Sequence, residues 1–298
     1  MKKIFIGLST VCILLSVFTG CEEERTTYEG PNYVMFSDTL SVLGVQNTEE
    51  YFDVAVTATQ TFGYDRILGV EILDKKSNAV EGYHYTLASS NVIIKAGERV
   101  GNIRVRGVYD HIGVTDSLGF VLQLTGAQGT PWSVESDITK VILKKVCPFD
   151  INSFTRWAVL TSTYMQEFMQ TTSMRLIFTE KDPEEENCII MKDCFYDGYD
   201  MKIRFITKDP LNPLIEMKDQ TFASTAEAFG TIYGDGVIKA YQPKTYVSYY
   251  SSCERFIFQY MTLHVPGMEE GDVAVGTFVN AVEWVSDDEA KKLQQQGF

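Results

Sequence analysis

From Asn32 to about Val146 the apolar residues recur at every second position, and this alternation restricts the fold most. Phe52, Val54, Val56 and Ala58 alternate with Asp53, Ala55 and Thr57. Leu68, Val70 and Ile72 do the same, as do Ile103 and Val105, and Leu118, Phe120, Leu122 and Leu124 share one face. A period of two places one side of each segment in a core and leaves the other wet, which is the pattern of a half-buried strand. Turn-forming clusters separate these segments at Gly63-Tyr64-Asp65, Lys75-Lys76-Ser77-Asn78, Ala96-Gly97-Glu98 and Gly126 to Pro131. Many short strands with no long helical period predict an antiparallel sandwich of immunoglobulin-like type.

The run Cys147-Pro148-Phe149-Asp150 interrupts the pattern and sets an expected boundary, with strand patterns resuming at 174–178, 188–191, 201–205, 256–263 and 273–284. Their loops carry turn chemistry, as at Asp209-Pro210-Leu211-Asn212-Pro213 and Gly234-Asp235-Gly236. Long hairpins of this kind predict a meander that curls into a barrel and so removes its edge strands. Ser286 followed by Glu289 is a capping-box pattern and predicts a short terminal helix over 287–295. The fold class expected is therefore all-β: a sandwich over 32–146, then an antiparallel, barrel-like β domain over 147–298.

The amino terminus reads as an address. Lys2 and Lys3 precede a mostly apolar run from Ile4 to Phe18, then Thr19, Gly20 and Cys21. That order predicts a signal peptide over 1–20. The run is shorter than the roughly 20 residues that cross a bilayer, which weighs against the alternative of a membrane anchor. Phe18-Thr19-Gly20-Cys21 resembles the bacterial lipobox, with Phe18 where Leu is usual, and the resemblance implies lipidation of Cys21. Glu22-Glu23-Glu24 is similar to the export signal of lipoproteins displayed on the outer membrane of Bacteroidetes. A solvated acidic linker would use the same residues. One acyl chain holds a protein only weakly, so a multiply acylated cysteine is what makes the membrane a lasting partner. Residues 21–31 then form the lipidated cysteine and its tether.

Glu81-Gly82-Tyr83-His84-Tyr85, Lys95-Ala96-Gly97-Glu98 and Ile103-Arg104-Val105 resemble the Calx-beta family across roughly residues 32–146. His84 stands where that family has Asp. Some members bind calcium through loop carboxylates. Asp110 and Asp116 are the corresponding acids, with one acidic position lost, so no metal is expected. The second block resembles the C-terminal domain, of unknown function, found beside a Calx-beta-like domain in lipoproteins of gut Bacteroidetes. The residues that carry this are Cys147-Pro148-Phe149-Asp150, Tyr196-Asp197-Gly198-Tyr199-Asp200, Asp209 to Pro213 and Phe229-Gly230. Relatives accompany outer-membrane glycan-capture systems, which implies glycan and outer-membrane transporter components as partners by analogy.

Charge excludes one class of partner. Forty acids against 26 bases give a net charge of −14, whereas phosphate backbones require a cationic surface, so no nucleic acid is expected. Serine-hydrolase, zinc-protease and phosphate-loop motifs are missing, no carboxylate pair stands out among the acids, and the three histidines read as turn or surface residues. No enzyme activity and no cofactor are expected. Cys147, Cys188, Cys194 and Cys253 contain no C-x-x-C pair, which disfavours structural zinc. Four buried thiols are the simplest reading of them, although an exported protein permits disulfides. Cys188 and Cys194 on one straight strand would be too far apart to bridge.

The aromatic residues carry the functional expectation. Tyr241, Tyr246, Tyr249 and Tyr250 fall within ten residues, and Tyr196 and Tyr199 flank Asp197-Gly198. Exposed tyrosine faces stack on sugars at small entropic cost, while strand tyrosines also serve simply to pack sheets. These six are the expected ligand-binding residues. Trp132 falls in a loop, whereas Trp157 and Trp284 fall in strand patterns and are expected in the core. The reading is a lipid-anchored outer-membrane accessory protein that binds glycan. The alternatives are an adhesion or assembly spacer whose sheet edge accepts a partner strand and, third, a glycan-processing enzyme.

Overall fold

The computed structural model describes residues 28, 30–126, 131–169, 172–269 and 271–298. The expected signal peptide, Cys21 and nearly all of the tether fall outside them. Of the tether, the Gly30 carbonyl accepts from Gln60 Nε2 at 2.8 Å and the Pro31 carbonyl from Thr59 Oγ1 at 3.0 Å, so this end lies against the first domain.

That domain is a sandwich of two five-stranded sheets. One has the order β5 (Tyr85–Leu87), β7 (Val100–Gly107), β3 (Phe52–Ala58), β1 (Tyr33–Phe36), β9 (Ser133–Val134). The other has the order β2 (Leu40–Val45), β10 (Ile138–Lys145), β8 (Leu118–Thr125), β4 (Arg66–Ile72), β6 (Asn91–Ile94). The inward residues of both sheets, among them Val54, Val56, Leu68, Val92, Ile103, Phe120 and Leu122, form one core, as the alternation requires. Two edge pairings depart from the antiparallel expectation. β9 runs parallel to β1 and β2 parallel to β10, so that β1 and β2, consecutive in the chain, lie in opposite sheets.

The second domain closes on itself. β11 (Arg156–Ser162), β12 (Met174–Lys181), β13 (Cys188–Lys192), β14 (Met201–Ile206) and β15 (Leu214–Glu216) pair in sequence. They are followed by β18 (Tyr249–Ser251), β19 (Phe256–Met268) and β20 (Gly271–Trp284), and β20 returns to β11. The result is an eight-stranded antiparallel barrel. The hairpin β16 (Gln220–Ser224) and β17 (Val237–Tyr241), with the short helix α1 (Thr225–Phe229) between its strands, extends sideways from β19. Where β15 and β18 share a single register pair, Leu214 with Tyr249, the side-chain amide of Gln242 completes the seam. It donates to the Ile215 carbonyl and accepts from Met217 N, both at 3.1 Å, so backbone groups that lack a strand partner are still satisfied. The terminal helix α2 spans Asp287–Gln295, and Ser286 and Glu289 make the reciprocal capping box.

Aromatic side chains plug both barrel ends. Toward the sandwich, Phe149, Phe154, Phe205, Tyr250 and Trp284 form one contiguous group. At the opposite end Tyr164, Phe195, Tyr196, Phe222 and Phe278 form another. Between them, facing inward from paired positions on β19 and β20, the buried amides of Gln259 and Asn280 bond to each other at 3.2 Å.

Two expectations require correction. Cys147 and Cys253 are joined in a disulfide, so that of these four Cys188 and Cys194 remain as buried free thiols. Trp157 lies on the outside of β11 against Phe178, because its neighbour Ala158 takes the inward position. Trp284 is in the core as expected.

Candidate functional site

The six expected tyrosines do not form one site. Alternation along β18 separates two of them: Tyr250 turns inward and is 3% exposed, whereas Tyr249 turns outward and is 39% exposed. Tyr250 packs in the sandwich-facing plug, where burial pushes its phenol pKa up. Its expected ligand-binding role is corrected to a structural one. Tyr196 and Tyr199 are at the other end of the barrel. Tyr196 is half-buried with its hydroxyl 2.8 Å from that of Tyr164, and Tyr199 closes a turn onto the Tyr196 carbonyl.

Tyr241, Tyr246 and Tyr249 are brought together on the outer wall. β19 sends Ile257, Gln259 and Met261 inward, so Phe256, Phe258 and Tyr260 must face out. Tyr249 stacks on Phe258 at 5.5 Å and Tyr246 on Tyr260 at 4.7 Å, while Tyr241 meets the His264 imidazole edge-on at 5.5 Å. From Phe256 to His264 this strip is roughly 26 Å long at the usual rise of a strand. Tyr246 is 49% exposed, and Val247 beside it is also exposed. Phe256, Phe258 and Tyr260 were missed as site residues, although the signal existed: they alternate with apolar positions in a strand legible in the sequence.

The strip leads at one end into a cleft of about 680 Å3 between the two domains. Val247, Tyr249 and Phe256 form part of its barrel wall, the Pro210–Pro213 loop another, and Lys144 and Lys145 belong to the sandwich side. The two domains meet closely there. Lys144 Nζ donates to the Leu211 carbonyl at 3.2 Å, and a Cβ on Gly44 would come within 3.1 Å of Leu211 Cδ2, so the absence of a side chain at Gly44 leaves room for the loop. The Cys147–Cys253 disulfide forms part of the cleft lining, and Tyr109 Oη lies 3.2 Å from Cys147 Sγ. Lys145 Nζ stands 4.1 Å over the Tyr109 ring. Aromatic faces beside a hydrogen-bonding cleft can hold a flat, hydroxylated molecule.

The polar clusters elsewhere are occupied by internal contacts. Asp182, Glu185 and Cys188 place their ligand atoms within 4.8 Å of one another. However, Lys202 sits 2.6 Å from Asp182 and Lys218 2.8 Å from Glu185, and both carboxyls are held below their ordinary pKa chiefly by those lysines. Burial, reinforced by Glu185 and Asp182, pushes the Cys188 thiol up to about 11. Protonated sulfur and neutralised carboxylates fit a metal poorly. In the sandwich, Asp116 Oδ2 accepts from Gly113 N at 2.6 Å, and Asp110 sits in a 3-10 turn whose His111 stacks on Tyr83 at 4.0 Å. His84 Nδ1 accepts the Val80 N–H at 2.9 Å, which gives it a turn-forming role.

The family described as Domain of unknown function (DUF4984) matches residues 135–296. No curated protein matches the chain. Among solved structures, a protein of unknown function from Bacteroides ovatus is similar at 9% identity over 85% of this chain and 94% of its own, with a TM-score of 0.32. The apo form of the Calx CBD1 domain is similar at 14% identity over 39% of this chain and 98% of its own, with a TM-score of 0.30. A candidate carbohydrate binding protein from Bacteroides ovatus is similar at 9% identity over 83% of this chain and 74% of its own, with a TM-score of 0.28.

Proposed function

We propose, from the premise that this chain belongs to the DUF4984 family, that it is a lipid-anchored accessory protein of the outer membrane that binds glycan without processing it. The observation that carries this reading is the outer strip on which Tyr241, Tyr246 and Tyr249 present exposed rings beside the interdomain cleft. Sugar C–H faces stack on such rings, while Lys144, Lys145 and Asn212 supply hydrogen-bonding groups at the cleft. The body is strongly acidic, which favours a neutral glycan over a sulfated or uronic one. Cys21 would carry the lipid, and the acidic residues after it would direct the protein to the cell surface.

The test is a glycan array on the chain lacking residues 1–21, followed by calorimetry on the best neutral oligosaccharide. Each ring contributes about 0.5–1.5 kcal/mol, so Tyr246→Ala with Tyr249→Ala is expected to weaken binding about tenfold. Failure to bind any glycan, or unchanged affinity in the double variant, overturns the reading in favour of a spacer. Metabolic labelling with a fatty acid that is lost in Cys21→Ser checks the anchor separately.

A further inference from the structure

The barrel end away from the sandwich opens into a second cavity of about 520 Å3, a size that encloses a small molecule. Part of its lining is apolar and adaptable. Met165 and Met169 come from the π-helical turn after β11, Met174 from the start of β12, and Phe195 from the loop between β13 and β14. Unbranched thioether side chains adapt to the shape of what they cover.

Three charged side chains also line the cavity: Arg175, Asp197 and Glu227. Arg175 Nη1 donates to the Phe195 carbonyl at 2.6 Å, which fixes the guanidinium plane. Its other arm, Nη2, is 3.5 Å from an Asp197 side chain that is 91% exposed. A contact so long and so exposed is worth little and exchanges readily for a better carboxylate. Glu227 has no ion-pair partner among the described residues. Tyr164 is wholly buried and its hydroxyl lies 2.8 Å from that of Tyr196, which lines the cavity.

We propose that this cavity binds a free α-amino acid with a large apolar side chain. Its carboxylate takes the place of Asp197 on the open arm of Arg175 and its ammonium faces the released Asp197 and Glu227. Its side chain lies on the methionines and Phe195. A singly charged ligand would leave either the guanidinium or the carboxylates unanswered, whereas a zwitterion engages both. This site is independent of the glycan reading and lies at the opposite end of the barrel.

Calorimetry on the full chain with L-phenylalanine, 3-phenylpropionate and phenethylamine separates the cases. The amino acid is expected to bind at least tenfold more tightly than either analogue. Glu227→Gln should reduce the preference over 3-phenylpropionate several-fold, and Arg175→Lys should cost about tenfold in affinity. Methyl NMR should shift Met165, Met169 and Met174 while leaving core methionines such as Met261 unmoved. Met169→Trp, which fills the cavity, should abolish binding and leave glycan binding intact. Equal binding of either analogue overturns the proposal, as does the absence of both heat and methyl shifts with L-phenylalanine.

Discussion

The two ends of the barrel are built from similar side chains to different purposes. At the sandwich-facing end Phe154 is fully buried among Phe149, Phe205, Tyr250 and Trp284. There Thr179 Oγ1 accepts from Trp284 Nε1 at 2.9 Å and lies 3.1 Å from both the Phe154 and Arg156 carbonyls, and the disulfide fastens the connecting segment to the β18–β19 turn. At the far end the plug is looser. Phe168 packs on Tyr164 and Phe278 yet is 43% exposed, and the cavity lined by Met165, Met169 and Phe195 opens at this end. One end packs its aromatic plug tightly and holds the two domains together, whereas the plug of the other leaves a cavity among its own side chains. Equivalent truncations should therefore differ in cost. Phe154→Ala is expected to destabilise by about 3–5 kcal/mol, as for a core aromatic, and Phe168→Ala by about 1 kcal/mol or less, both read from urea unfolding. Equal losses would dissolve the distinction.

The disulfide gives the next largest effect. It closes a loop of 106 residues that contains most of the barrel. Cys147→Ser with Cys253→Ser is expected to lower stability by about 2–4 kcal/mol through a less restricted unfolded state. The free thiols behave differently: burial pushes Cys194 up to about 12 and Cys188 up to about 11. In the native protein at pH 8 neither should react with an alkylating reagent, and both should react in denaturant. A prompt native reaction would show that the barrel opens near them.

The hydrogen bonds of the closed end can be tested in isolation. Thr179→Val keeps the shape but leaves Trp284 Nε1 without its acceptor, and the expected cost is about 1–3 kcal/mol. Tyr164→Phe at the open end removes one hydroxyl from a pair whose outer member, Tyr196, is only half-buried, and should cost about 1 kcal/mol or less. Chemical denaturation of both variants checks the difference. A larger loss at Tyr164 would make the open end the more constrained of the two.

What the sequence made legible follows from the range of each interaction. Strand patterns, the sandwich and the capping box rest on neighbours within a few residues, and all were readable. The Cys147–Cys253 bond was not, because it depends on where two distant segments end after the barrel closes. β15 and β18, with three residues each, carry too little alternation to register, and Gln242 completes their seam in a way that periodicity does not encode. The split of the tyrosines was hidden for the same reason: Tyr249 and Tyr250 lie on β18, and their adjacency places them on opposite sides only once that strand is known. Phe256, Phe258 and Tyr260, in contrast, obey the period of a strand legible in the sequence, so their outward positions follow from it.

A more local effect concerns the element that links the two ends. Helix α2 starts near the closed end, where Asp287 meets Arg156 at 2.8 Å, and the residues after it, Gln296 to Phe298, form a wall of the open cavity. Ser286→Ala removes a cap that accepts from Glu289 N and is expected to cost about 0.5–2 kcal/mol. The loss should appear as faster amide exchange at Glu289 and Ala290, with exchange inside the barrel unchanged. Acid should reproduce it. Hydrogen bonds from the Ser286 backbone and side chain hold the Glu289 carboxyl below its usual pKa, so the cap is complete above the ordinary glutamate value and is lost as pH falls through the lower folded one. If α2 couples the ends, Ser286→Ala weakens amino-acid binding at the far cavity while stability at Phe154 is unaltered. If binding is untouched while α2 frays, the helix is only a lid over the barrel wall, and the two ends act independently.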